Sequence, residues 1–295
     1  MAEEYPDGFG PGWEPRPDDV AEVVESLPIK SFGATPAMEQ AIPDELLGHK
    51  IFKKVTGQDW PVLNQGQIGS CVAHGGVNAL AFSMIGDIVS GDAEEFRTVS
   101  REVAYGLMRV QVGHNRLGRG DGGIGAWQAK AFKEFGTVEE SKVGQYSESR
   151  CRQYGASGPP AELVKSAAEH KLSDYTQVNS FEQLCSSLAS GYGVIVCSNR
   201  GFSMQRDDRG FCRPRGVWNH AMAFIGYRKS GSHPGALLCN SWGGSTTTGP
   251  RPDDIPPCTW WVEPDVVNYM LRQDDSFAMS GGFSGFPARK LNWLI

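Results

Sequence analysis

The sequence contains no Cys-x-x-Cys pair and no grouping of His and Cys at metal-ligand spacing, so neither a zinc site nor a redox dithiol motif is indicated. Its seven cysteines, at 71, 151, 185, 197, 212, 239 and 258, are an odd number, which excludes a fully paired disulfide framework and suits reduced thiols. Uninterrupted apolar runs are short, as at 194–197, far below the roughly 18 residues of a membrane-spanning helix, so no membrane segment is expected. There is no basic stripe, and the formal net charge is −6, which argues against a nucleic-acid partner. The start at Met1, Ala2, Glu3 and Glu4 lacks the positive and then apolar stretch of a secretory leader, and a cytoplasmic setting is expected.

What is present is a chain of 295 residues, 40% hydrophobic, with 37 Gly and 18 Pro: a loop-rich globular protein of one large domain or two lobes. Residues 1–50 hold 7 of the prolines and 11 acidic against 3 basic residues, which reads as an extended acidic arm. A short helix at 19–26 places Val20, Val23, Val24 and Leu27 on one face before Pro28 stops it, and the main folded body is expected to begin near Ile51. Helical periodicity follows at 71–88, where Ser70 is the expected cap, and at 100–109, 125–135, 160–170 and 181–188. Beyond Gly191 the texture changes to short apolar runs at 193–198, 221–227, 236–240 and 259–262, which read as strands. An α+β protein results, with a helical lobe over 65–175, a strand-rich lobe over 176–275, a cleft between them, and a Gly/aromatic tail over 276–295.

The chemistry concentrates at four places. Cys71 stands at the first turn of a predicted helix, where unsatisfied N–H groups and the positive dipole end stabilise a thiolate. Gln65, on a glycine-bounded turn, can add its side-chain N–H to the Cys71 backbone N–H as a two-donor oxyanion hole. A thiolate that attacks an amide needs an imidazole, and the imidazole needs an orienting group. His220 opens one apolar strand and Asn240 ends another, so adjacent strands would bring the two together. Taken alone, a cysteine is more often a small buried hydrophobe and a histidine a packing residue, the reading also given to His74.

Gln65, Gly66, Gly69, Ser70 and Cys71, the pair Gly122–Gly123, then Asn219, His220 and Ala221 leading to Gly226 and Tyr227, and finally Asn240, Ser241, Trp242 and Gly243 together resemble the papain-like cysteine peptidases. In order and spacing the resemblance spans nearly all of residues 55–265. His220 lies 149 positions after Cys71, within the roughly 130–150 typical of the family, and Asn240 lies slightly beyond. The resemblance implies a papain-like two-lobe fold, with the nucleophile helix in the helical lobe and an antiparallel, barrel-like C-terminal lobe. It also implies hydrolysis of a polypeptide substrate through a thioester acyl-enzyme, with no cofactor and no metal. Cys71 would be the nucleophile, His220 the acid/base, Asn240 the orienting group and Gln65 part of the oxyanion hole. Gly122, Gly123, Asn219 and Ala221 would meet the substrate, with Ala221 and the strand at 194–198 lining an apolar or small main pocket. Trp242 would shield the His–Asn bond.

Three departures from the family stand out. Ile68 and Asp121 occupy positions where members from oxidising compartments carry a disulfide, which suits an intracellular setting. Only some 50 residues precede the body, too few for a long inhibitory pro-region. An insertion at 245–257 borders the leaving-group side of the cleft. The arm is open to three readings: a free tail, a strap across the cleft, or a tether to an assembly partner. On the last, the chain would be a papain-like accessory component of a larger particle such as a virion.

Overall fold

The computed structural model describes residues 8–10, 12–33, 42–92, 95–287 and 289–293. The packed chain starts well before Ile51. Trp13 is buried, and α1 (Pro17–Glu25) lays Val20 and Val23 against the body, with Leu27 buried just beyond it. Pro17 suits the first helical position because no partner exists there for its missing N–H. After the undescribed 34–41, β1 (Glu45–Leu47) pairs with the strand that carries Tyr227, and α2 (Gly48–Thr56) ends on Gly57 in the left-handed region, φ 73°.

Helix α3 (Cys71–Ser90) is the centre of the molecule and is buried on nearly every side. Among the described residues it is one helix long and apolar enough to cross a membrane, yet 89% of its apolar window lies inside the protein, as befits a core helix. Gly, His, Asn and Ser break its apolar runs and hide this length in the sequence. Glycines set how closely its neighbours approach. A Cβ on Gly75 would stand 3.0 Å from the Met222 carbonyl oxygen, and one on Gly86 would stand 2.5 Å from that of Gly191.

Helix α4 (Arg101–Gly106) widens into a π-helical turn over 107–112, and α5 (Gly125–Glu134) follows, then reverses at Gly136, φ 92°. Helix α6 (Glu148–Ser157), missed by periodicity, is capped by Ser147, whose Oγ accepts the Arg150 N–H. The remaining elements are α7 (Ala161–Ala167), β2 (Asp174–Gln177), α8 (Phe181–Ala189), β3 (Gly193–Arg206), β4 (Cys212–Arg228), β5 (Gly235–Cys239), β6 (Thr259–Val262), α9 (Pro264–Leu271) and β7 (Phe277–Ser280). The antiparallel sheet runs in the order β2-β7-β3-β4-β5-β6, with β1 beside β4. The expected tail boundary at 276 therefore falls inside the folded body, because β7 is wholly buried between β2 and β3. Helix α3 packs against β3 and β4, which brings its N-terminus beside Ala221 of β4.

Candidate active site

Cys71 begins α3 and is fully buried. Ser70 occupies the cap position but makes no capping bond; its Oγ lies 3.3 Å from His74 Nδ1 and 3.3 Å from Tyr146 Oη. The first-turn N–H groups are thus left for the thiol, and those of Cys71 and Val72 reach Sγ. Sγ also accepts the Ala221 N–H at 3.4 Å, a contact that the glycine face of α3 makes possible by letting β4 approach. Hydrogen bonds of this kind lower a thiol pKa, but burial outweighs them and pushes Cys71 up to about 12. The sequence argument expected a lowered value; it weighed the helix end and not the cover described below.

His220, in β4, places Nε2 2.7 Å from Asn240 Oδ1, directly after β5. Trp242 stacks on the imidazole at 4.4 Å between ring centroids, and Trp218 packs on Trp242. Burial holds His220 down to about 4 against the opposing hydrogen bond to Asn240. Among the described residues its Nδ1 has no hydrogen-bond partner. Burial of both groups thus favours a neutral thiol and a neutral imidazole over an ion pair while the cleft is covered.

Gln65 is fully buried and fixed from three sides. Its N–H donates to the Ser241 carbonyl at 2.9 Å, its Oε1 accepts the Ser241 hydroxyl at 2.9 Å, and its Nε2 donates to the Ile68 carbonyl at 3.0 Å. Ser241, which no sequence argument singled out, thereby ties the residue after Asn240 to the expected oxyanion donor. Asp121 accepts the Gly69 N–H at 3.3 Å and pairs with Arg152.

The cleft is occupied by the arm. Phe9 stacks on Trp242, and Gln65 Nε2 points at the Gly10 carbonyl, 3.4 Å away. The Gly12 and Trp13 N–H groups donate to the Asn219 carbonyl at 3.2 and 3.0 Å. Gly123 then donates to the Gly12 carbonyl at 2.8 Å and accepts the Glu14 N–H at 2.9 Å, in parallel register. A Cβ on Gly12 would sit 2.7 Å from Cys71 Sγ and 2.6 Å from the Gly69 carbonyl oxygen. Asn219 and Gly123 thus do contact extended backbone, but that of the chain itself. A Cβ on Gly123 would meet Met108 Cε at 2.3 Å, in the wall behind the cleft.

Two positioning residues escaped the sequence analysis. Arg109, on the π-helical turn, donates to the carbonyls of Gly118, Gly120, Gly122 and Gly155, and the Gly122 N–H donates to Tyr105 Oη. These bonds hold the edge at Gly122–Gly123. Asp275, expected only as the end of the strand-rich lobe, is fully buried and accepts the Gly125 and Ala126 N–H groups at the start of α5, both at 2.7 Å, and the Trp13 indole N–H at 2.7 Å. Burial raises its carboxyl to about 6 against these bonds. A Cβ on Gly125 would lie 2.8 Å from Cys197 Sγ and 2.9 Å from Asp275 Oδ1, so Cys197 of the strand at 194–198 packs beside the buried carboxyl at the start of α5.

No protein-family model and no curated protein matches the sequence. The fold, however, is matched over most of its length. Xylellain, a cysteine protease from Xylella fastidiosa, superposes with a TM-score of 0.65 at 19% identity, over 96% of this chain and 100% of that one. A procathepsin B from Trypanosoma congolense superposes with a TM-score of 0.60 at 10% identity over 93% and 87%. Procathepsin L 3 of the Tenebrio molitor larval midgut gives 0.56 at 15% over 90% and 78%. With a mainly helical first half, an antiparallel sheet in the second and the Cys71 helix packed against that sheet, the chain has the papain-like two-lobe fold.

Proposed function

We propose that the chain is a cysteine peptidase held latent by residues 9–14. One observation carries this reading: Cys71, Gln65 and the His220–Asn240 pair converge on one cleft, and an extended peptide already lies in it, bound through backbone groups. On release of that peptide, water and substrate reach Cys71, the burial that holds its proton is relieved, and His220 accepts the proton. The thiolate attacks a peptide carbonyl whose oxygen takes the place of the Gly10 carbonyl at Gln65 Nε2. His220 then protonates the leaving amine, and water, deprotonated by the same imidazole, hydrolyses the thioester.

The arm is a poor substrate for a geometric reason. Attack requires one residue to place its carbonyl oxygen at Gln65 and its carbonyl carbon at Sγ, whereas the Gly10 carbonyl is at Gln65 and Gly12 is at the thiol. Hydrolysis of a denatured-protein substrate by the arm-released chain is expected to fall by at least about 10⁴-fold in Cys71→Ala, by analogy with loss of a nucleophile elsewhere. Undiminished hydrolysis in that variant would overturn the assignment. The accessory-component reading receives no support from the described arm, which engages its own body.

A further inference from the structure

All seven cysteines are free and buried, and two of them face each other: Cys239 Sγ lies 3.8 Å from Cys258 Sγ. The sheet register creates the contact. Cys239 ends β5 opposite Thr259, the first residue of β6, and the Asn240 N–H donates to the Cys258 carbonyl at 3.0 Å, so the backbones are already joined beside the two thiols. Closing 3.8 Å to the ~2.0 Å of a sulfur–sulfur bond requires side-chain rotation and small backbone adjustment, without any change of register.

We propose that Cys239 and Cys258 are a disulfide-forming pair that closes the base of the segment carrying Asn240 and Trp242. The co-reactant is a small disulfide of the glutathione type. One thiolate attacks it and releases a first glutathione; the second thiolate displaces the other glutathione from the mixed disulfide. Two thiols and one glutathione disulfide thus give one protein disulfide and two glutathiones. Cys239 is fully buried, and its thiol is raised well above 9.0 by its contact with Cys258 and by desolvation, so exchange in the finished fold is slow and the bond forms as β5 and β6 come together. Burial then shields it from reductants. The segment so closed also contains the insertion at 245–257, which Arg206 pins by donating to the carbonyls of Thr247, Thr248, Gly249 and Pro257. Arg206 thus holds the middle of the loop and its end at Pro257, and the cysteine pair closes the base next to the His220 partner.

The full chain is produced in cells with an oxidising cytosol and, separately, in cells with a reducing one, blocked with N-ethylmaleimide under denaturing conditions and cut with trypsin, which separates Cys239 from Cys212 after Arg215, and Asp-N, which cleaves between Cys239 and Cys258 at Asp253. The expected result is a Cys239–Cys258 cross-linked peptide pair from the oxidised preparation alone. Its thermal midpoint should lie roughly 5–10 °C above that of the reduced chain, as loops of this size predict, and the difference should vanish in Cys239→Ala. Both thiols blocked singly in the oxidised preparation, or either one joined to a different cysteine, would overturn the proposal. So would equal midpoints for cross-linked and reduced chains. The comparison of the two unaltered preparations needs no variant to fold.

Discussion

Two stretches of the arm do opposite things. Residues 9–10 and 12–14 run over the site with backbone hydrogen bonds, a glycine at the thiol and one indole N–H on Asp275. Helix α1 packs on α5; it buries Val20 and Val23, at 5% and 3% exposure, and places Asp19 between Arg16 and Arg116. One stretch fits, the other holds. Hydrophobic burial is non-directional and tolerant, so it can supply most of the docking free energy away from the chemistry. Backbone pairing contributes less net energy but fixes register, which is what keeps the thiol and the oxyanion donor on different residues of the arm.

This division can be broken at either end. The largest effect is expected from Val23→Asp, which removes about 1.5–3 kcal/mol of side-chain burial and adds a carboxylate to an apolar face. Alkylation of Cys71 by an epoxysuccinyl peptide should accelerate roughly 100-fold, and a rate unchanged from wild type would show that α1 does not hold the arm. Gly12→Ala should act less, about 10-fold in the same assay, since the added methyl meets Sγ and a backbone carbonyl but leaves α1 in place. If it exceeded Val23→Asp, the roles of the two stretches would be reversed.

The smallest and most specific effect is in titration. Burial raises the Cys71 thiol from its usual 9.0 to about 12, so docking is favoured while the thiol is protonated, fully below pH 9, and is weakened as pH rises from 9 towards 12. The ultraviolet thiolate absorption of Cys71, taken as the difference from Cys71→Ala, should therefore appear at lower pH in Val23→Asp than in wild type. Coincident curves would mean that the body, and not the arm, buries the thiol.

Much of this was legible in residue types and order. Cys71, Gln65, His220 and Asn240 are side chains whose chemistry is recognisable at any spacing consistent with a helix start and two strand ends, and the structure brings them to one cleft. Strands β3 to β6 were visible as apolar runs, and α8 as a serine cap followed by a periodic face. Other features depend on long-range placement. Asp275 reads as surface acid beside Asp274 until α5 offers its N-terminal N–H groups. Arg109 reads as the charged end of a helix until the π-helical turn aims it at four carbonyls. The arm's composition left a free tail, a strap across the cleft and a tether open, because a few valines in a proline-rich context give no sign of the groove that will bury them. Strand β7 was hidden for a related reason: four residues are too few for a period, and a glycine-rich segment follows directly.

That the Gly12 segment and α1 belong to the same chain as the cleft gives latency a property that no separate inhibitor has. Docking is unimolecular, so its extent does not fall when the protein is diluted, and short tethers of this kind correspond to effective concentrations in the millimolar range. A peptide copying residues 9–14 would have lost both the tether and the buried valines, and should inhibit only feebly. A single backbone cut beyond α1 would likewise turn a permanent occupant into a ligand that dilution removes, so activation becomes a matter of where the chain is severed and how little of it is nearby.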